Sequence, residues 1–133
     1  MNVVITLPRV YIDKILNGEK TYEMRHSRPK HLRPQIDGFF CVEKGTSKVI
    51  CWCKVDCYVP VTHEYYDWAA YGEFIGCSKE YWDSYVNSPL PTFLWRIGEI
   101  VKFEKPLNRD NDLMVEHNPQ QFAYCPLSHG RSY

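Results

Sequence analysis

The sequence has no long apolar run, no excess of either charge and no closely spaced cysteine pair of the metal-binding kind. Each absence removes a class of protein. Its apolar stretches are a few residues long, far short of the roughly 20 that a membrane-spanning helix needs. The start MNVVITLPRV carries neither a basic leader nor the roughly 7–15-residue apolar core of a secretory signal, so a cytoplasmic protein is expected. Lys and Arg number 16 and Asp and Glu 16 among 133 residues. Coating duplex DNA non-specifically needs many uncompensated cations, so any nucleic-acid contact here must be local. Six cysteines are present, yet no C-x-x-C occurs, and His63, the histidine nearest to Cys51, Cys53 and Cys57, lies beyond Pro60. Reduced thiols, no metal and no other cofactor are the expectation. The chain also lacks G-x-x-x-x-G-K-[ST], G-x-S-x-G and H-E-x-x-H, the signatures of phosphate loops, serine hydrolases and zinc proteases.

What is there is enough for one folded domain. Hydrophobic residues make up 44% and charged ones 24%, which excludes a disordered, collagen-like or coiled-coil chain. Aromatic residues reach 15%, so rings rather than leucines fill much of the core, and some are available to stack on a planar ligand.

Asn2–Thr6 reads as a short β-branched strand. Pro8 and Gly18 bracket a helix over Pro8–Asn17, with Ile12, Ile15 and Leu16 as its apolar stripe. Lys20–Arg25 is a strand in which Lys20, Tyr22 and Met24 share one face and Thr21, Glu23 and Arg25 the other. The segment HSRPKHLRP then reads as a loop. Phe39–Glu43 and Val49–Val59 are strands joined through a turn at Lys44–Lys48. Alternation along the second puts Val49, Cys51, Cys53, Val55, Cys57 and Val59 on one core-facing side. Thr62 is placed to cap a helix over His63–Tyr71 closed by Gly72, and Ser78 to cap another through Val86. Phe93–Phe103 reads as two strand pieces meeting near Gly98. Residues 1–126 form one domain and 127–133 a loosely ordered tail. Strands outnumber helices without a β-α-β-α rhythm, which gives an α+β class.

Chemistry concentrates between Pro8 and Arg25. Lys20, Glu23 and Arg25 leave one short element directly after a helix C-terminus. Glu23 and Arg25, two apart on a strand, can pair, which lowers the carboxyl pKa and orients the guanidinium. Lys20 joins them if the turn twists it inward. Such a trio suits a planar ligand with a donor edge and acceptors, as a nucleobase has; the plain alternative is a surface ion pair worth about 0–1 kcal/mol. A second basic group follows at once, RHSRPKHLR (Arg25–Arg33), where Arg28 and Lys30 are placed to grip phosphates beside the cleft. Arg9 at the first helix's start adds to that face. Trp52, Trp95 and Tyr124 are the rings proposed to stack a base, with core packing as the competing role.

The run PRVYIDKILNGEKTYEMR resembles the signature of ASCH domains, relatives of the PUA and EVE/YTH-like barrels. FLWRIGEIVKFEKPL is similar to that family's closing strand pair, NPQQFAYCP to its terminal strand, and CSKEYWDSYV to the helix before the closing strands. The resemblance implies a PUA-like, partly open β-barrel of five or six strands with helices packed at its ends. It also implies a cleft lined by the G-x-K-x-x-E-x-R motif that binds RNA or a modified nucleotide. One branch of the family hydrolyses N4-acetylcytidine with a Lys, a Thr three residues later and a downstream Glu; another cuts single-stranded RNA, again with this lysine. Carried over, the lysine is Lys20, the arginine Arg25 and the downstream acid falls at Glu73.

The sequence departs from that pattern at Glu23, which stands where the hydrolase branch has its Thr nucleophile, while Thr21 points to the strand's other face. Two roles remain for Glu23: general base on a water beside Lys20, or acceptor for a base's exocyclic amine while Arg25 holds a phosphate. Three functional classes follow: an RNA or nucleotide binder, favoured here; an amidohydrolase or ribonuclease of the same fold; and a protein-binding regulator whose cleft is vestigial.

Overall fold

The computed structural model describes residues 2–26, 37–61, 65–116 and 122–125. Six strands form one sheet in the order β2-β5-β4-β3-β1-β6: β1 (Asn2–Leu7), β2 (Tyr22–Arg25), β3 (Gly38–Glu43), β4 (Lys48–Pro60), β5 (Phe93–Asn108) and β6 (Ala123–Cys125). Four helices accompany them: α1 (Arg9–Leu16), α2 (Tyr65–Ile75), α3 (Lys79–Val86) and α4 (Arg109–Leu113). The sheet is open, with β2 and β6 at its two edges, so the expected α+β, PUA-like architecture holds while the barrel is not closed. No helix among the described residues is long and apolar enough to cross a membrane.

The central strands explain themselves by composition. NVVITL and GFFCVE are apolar almost throughout and pair in parallel, Val3 beside Phe39 and Ile5 beside Cys41. Strands covered on both faces read as continuous apolar runs rather than alternations, and both are buried along nearly their whole length. One face carries Val3, Ile5, Phe39, Cys41, Cys51, Cys53, Trp95 and Ile97 under α1 residues Ile12 and Ile15. The other carries Val4, Phe40, Val49, Trp52 and Phe103 with Leu113 of α4. A third cluster joins Met24 of β2 and Leu94 of β5 to Ile75, Trp82 and Val86. Gly38 is obligatory at the start of β3, because a Cβ there would collide with the Cys53 carbonyl and the Trp52 ring.

Several sequence expectations are corrected. The single-face row on β4 is broken by register shifts between Val49 and Cys51 and around Val55. Opposite β3, Cys41 faces Cys51 while Val42 faces Val49, so Ile50 is an extra, bulged residue on β4. Val49 therefore joins the second core face, while Ile50, Cys51, Cys53 and Val55 stay in the first. β5 is one continuous strand rather than two pieces, and it absorbs the bend through those same shifts. The helix expected to close at Gly72 runs on to Ile75. Gly72 is tolerated inside it because the Trp68 ring lies across the position a Cβ would occupy, and the chain turns out at Gly76 with φ of +83°. Ser78 caps α3 as expected, its Oγ accepting from the Tyr81 N–H at 3.1 Å. The Thr62 cap, most of the HSRPKHLRP loop with Arg28 and Lys30, and the C-terminal tail lie outside the described residues.

Candidate functional site

The site begins where α1 ends. Gly18 takes φ of +86°, a left-handed exit that suits glycine, and the Lys20 N–H then donates back to the Lys14 carbonyl at 3.0 Å. Thr21 is stitched on both sides, its N–H to the Phe74 carbonyl at 2.8 Å and its carbonyl to the Ile97 N–H at 2.9 Å. Strand geometry therefore starts only at Tyr22. Lys20 is freed from the alternation that would have placed it with Tyr22 and Met24, and it turns to the side of Glu23 and Arg25.

There the three side chains form a buried ion network, with Lys20, Glu23 and Arg25 only 4%, 3% and 7% exposed. Lys20 Nζ lies 3.0 Å from Glu23 Oε1 and donates to the carbonyls of Tyr22 and Ile75 at 2.7 Å each. An ammonium has three donors, and all three are thus engaged. Ile75 ends α2, so Lys20 also places positive charge on that helix's C-terminal carbonyls, where the helix dipole favours it; Lys14 does the same at the Gly76 carbonyl, 2.9 Å away. Glu23 Oε2 accepts from Arg25 Nε at 2.7 Å. Arg25 Nη2 reaches on to the Thr6 carbonyl at 3.2 Å. That bond links edge strand β2 to β1, four strands away in the sheet order, so the sheet curls until its seam is bridged by this side chain. Burial pushes the Glu23 carboxyl up, but the charges and hydrogen bonds of Lys20 and Arg25 outweigh it and hold the group below its ordinary value.

Above the network opens a cleft of about 760 Å³, within the range of small-ligand pockets. Its floor is Lys20, Glu23, Met24 and Arg25; Tyr11 of α1 and Tyr81 and Tyr85 of α3 wall it, and Lys44 and Gly45 of the β3–β4 turn stand at its rim. Tyr85 is itself steadied by His26, whose ring stacks on it at 3.7 Å between centroids and 4° between planes. The Thr6 hydroxyl, on the lining, is buried with no hydrogen-bond partner among the described residues. The floor thus offers charge and the walls offer π-faces.

The remaining sequence candidates fall elsewhere. Trp52 is 3% exposed, and its Nε1 donates to Asn2 Oδ1 at 2.9 Å; it is a core residue, because the Lys54 and Asp56 face of β4 gives way to the second core at Trp52. Trp95 is fully buried among Phe39, Tyr58 and Phe122. Tyr124 lies on edge strand β6, against Phe122. Glu73 is exposed on α2 and lines a separate shallow groove with Trp68 and Lys14; it does not join Lys20 and Glu23, because Gly72 does not end the helix. Arg9 is near the cleft mouth but occupied by Asp13 and Glu43, at 2.9 and 3.0 Å. Sequence reasoning missed the tyrosine walls. The signal was present in Tyr81 and Tyr85, four apart and so on one face of a helix whose other face, Trp82 and Val86, is buried.

No protein-family model and no curated protein matches the chain. Among solved structures it is similar to an ASCH protein from Zymomonas mobilis, with a TM-score of 0.76 and 18% identity over 92% of this chain and 86% of that one. Two variants of that protein align equally well, at 18% and 17% identity over 92% of this chain and 88% and 87% of theirs. At such identity the likeness is one of backbone architecture, and by that measure the chain is an α+β protein with the ASCH, PUA-like fold.

Proposed function

We propose that this protein binds RNA or a single nucleotide, including modified ones, in the cleft above Lys20, Glu23 and Arg25. The observation that carries the reading is a preorganised, buried charge network directly beneath three tyrosines. A base slid between Tyr11 and the Tyr81–Tyr85 wall finds π-faces on its flanks, an acceptor edge in Glu23 for an exocyclic amine, and cationic groups for phosphate in Arg25 and Lys44. Arg28 and Lys30 follow β2 in sequence and would extend the phosphate path. Six free thiols fit a reducing, cytoplasmic setting.

Binding is favoured over hydrolysis by the state of Lys20. A lysine that activates a nucleophile or polarises a substrate oxygen must offer it a donor, and all three Lys20 donors are spent on Glu23, Tyr22 and Ile75. Glu73, the carried-over acid, stands outside the cleft.

The test is titration of nucleoside monophosphates, N4-acetylcytidine and short single-stranded RNAs against the wild type, Tyr85→Leu and Lys44→Ala, with mass spectrometry of the same mixtures. Stacking on an aromatic is worth about 1–3 kcal/mol per base, so Tyr85→Leu should weaken binding roughly 5-fold or more with the fold intact. A product formed only in the presence of protein would replace the binder by a hydrolase. No retained species would leave the cleft vestigial and favour a protein partner.

A further inference from the structure

Beneath the cleft, within the first core face, Cys41, Cys51 and Cys53 meet. Cys41 on β3 pairs directly across from Cys51 on β4, and Cys53, two residues on, projects from the same face. Their three sulfurs lie within 4.8 Å of one another, and all three residues are fully buried. None is in a disulfide. A three-coordinate ion with metal–sulfur bonds of about 2.3 Å requires sulfurs roughly 4 Å apart, and the 4.8 Å span of these three is close to that spacing. We propose that Cys41, Cys51 and Cys53 form a trigonal site for a single soft, thiophilic ion of the Cu(I) type.

The donor set selects the class of ion. Three thiolates without hard ligands favour Cu(I) over magnesium, calcium or manganese. Zinc in a structural site is almost always four-coordinate, and no fourth His, Cys, Asp or Glu atom joins the cluster among the described residues. The surroundings are apolar: Ile5, Ile12, Ile15, Phe39 and Trp95 belong to the same cluster, so the ion would be shielded from water and from competing ligands. The spacing rule that looks for C-x-x-C misses this arrangement because the ligands belong to a sheet. There, C-x-C puts two sulfurs on one face and a cross-strand residue supplies the third. Both strands are internal to the sheet, so the ion would clamp its centre and raise the stability of the loaded protein by linkage.

The experiment is an anaerobic titration of the full chain with Cu(I) against a chromophoric competitor chelator. A parallel arm uses Zn(II), and both ions are added to folded protein and during refolding. Expected are one Cu(I) per chain, near-ultraviolet thiolate-to-copper absorption, a higher Tm for the loaded protein, and weaker retention of Zn(II). Loss of an outer-shell partner alone typically costs about 10- to 100-fold in metal affinity, so Cys41→Ala and Cys53→Ala should each lose at least that. Cys57→Ala, outside the cluster, should bind as the wild type does. If the alanine variants fail to fold, the sulfur coordination number of wild-type Cu(I) protein by X-ray absorption decides instead, three sulfurs being expected. Absence of stoichiometric Cu(I) in both additions, preferential retention of Zn(II), equal loss in Cys57→Ala, or a two-sulfur ion would each overturn the assignment.

Discussion

At the scale of single residues, the cleft floor is held by charges that cannot be removed one at a time. Deleting one member of a buried ion pair leaves the other desolvated and uncompensated, at about 3–5 kcal/mol. Glu23→Gln, which strands both Lys20 and Arg25, is therefore expected to lower unfolding free energy by about that amount in urea melts; a loss of less than roughly 1 kcal/mol would mean that the network is not buried in solution. The same carboxyl sets a pH dependence. Its folded pKa lies below the ordinary value of 4.5, so the unfolded chain binds the proton more readily. The stability Glu23 contributes is then fully present above the ordinary value and is lost as pH falls through the lower folded one. Melting curves taken from neutral pH down into that acid window should fall more steeply for the wild type than for Glu23→Gln; parallel curves would contradict the pairing.

At the scale of elements, two short devices aim the walls of the site. Ser78 caps α3, the helix that presents Tyr81 and Tyr85, and Ser78→Ala should cost about 1 kcal/mol. Because the capped turn includes Tyr81, ligand affinity should drop with stability, which titration of the folded variant at low temperature would reveal. Gly76, between α2 and α3, sits at φ of +83° with the Lys20 side chain 3.5 Å from where a Cβ would be. Any L-residue there carries a left-handed penalty of roughly 1–2 kcal/mol. Gly76→Ala should therefore lower Tm while leaving the helical circular dichroism almost unchanged; an unaltered Tm would show that the turn relaxes freely. Lys14 and Lys20 anchor the same turn through the Gly76 and Ile75 carbonyls, which is why one helix end serves as a wall of the cleft.

At the scale of the whole molecule, the sheet is a strip curled until its first and fifth strands nearly meet, with Arg25 bridging the seam to Thr6. The strands buried on both faces, β1 and β3, should show the slowest amide exchange, and edge strands β2 and β6 the fastest among the strands. Cutting the bridge with Arg25→Lys keeps the charge but loses the planar fork. Exchange of β2 amides should then quicken while β3 is unaffected. Uniform acceleration would mean that the seam is not a separate opening unit.

The sequence by itself determined the elements whose signals are local. Apolar runs marked β1 and β3, Pro8 and Gly18 bounded α1, Ser78 started α3, and the K-x-x-E-x-R spacing marked the trio at the cleft floor. It also suggested that Lys20 would need a twist to join Glu23, and the Thr21 hydrogen bonds to Phe74 and Ile97 supply that twist. Tertiary structure alone decided the rest. A bulge at Ile50 of β4 moved Val49 across the sheet, since register depends on the neighbouring strand and not on alternation within one. Packing of Trp68 over Gly72 carried α2 onward and left Glu73 in a different groove. Trp52 and Trp95 went to the core because the sheet is covered on both faces where they stand. Three cysteines from two strands became one cluster because cross-strand pairing brings together residues that sequence spacing keeps apart.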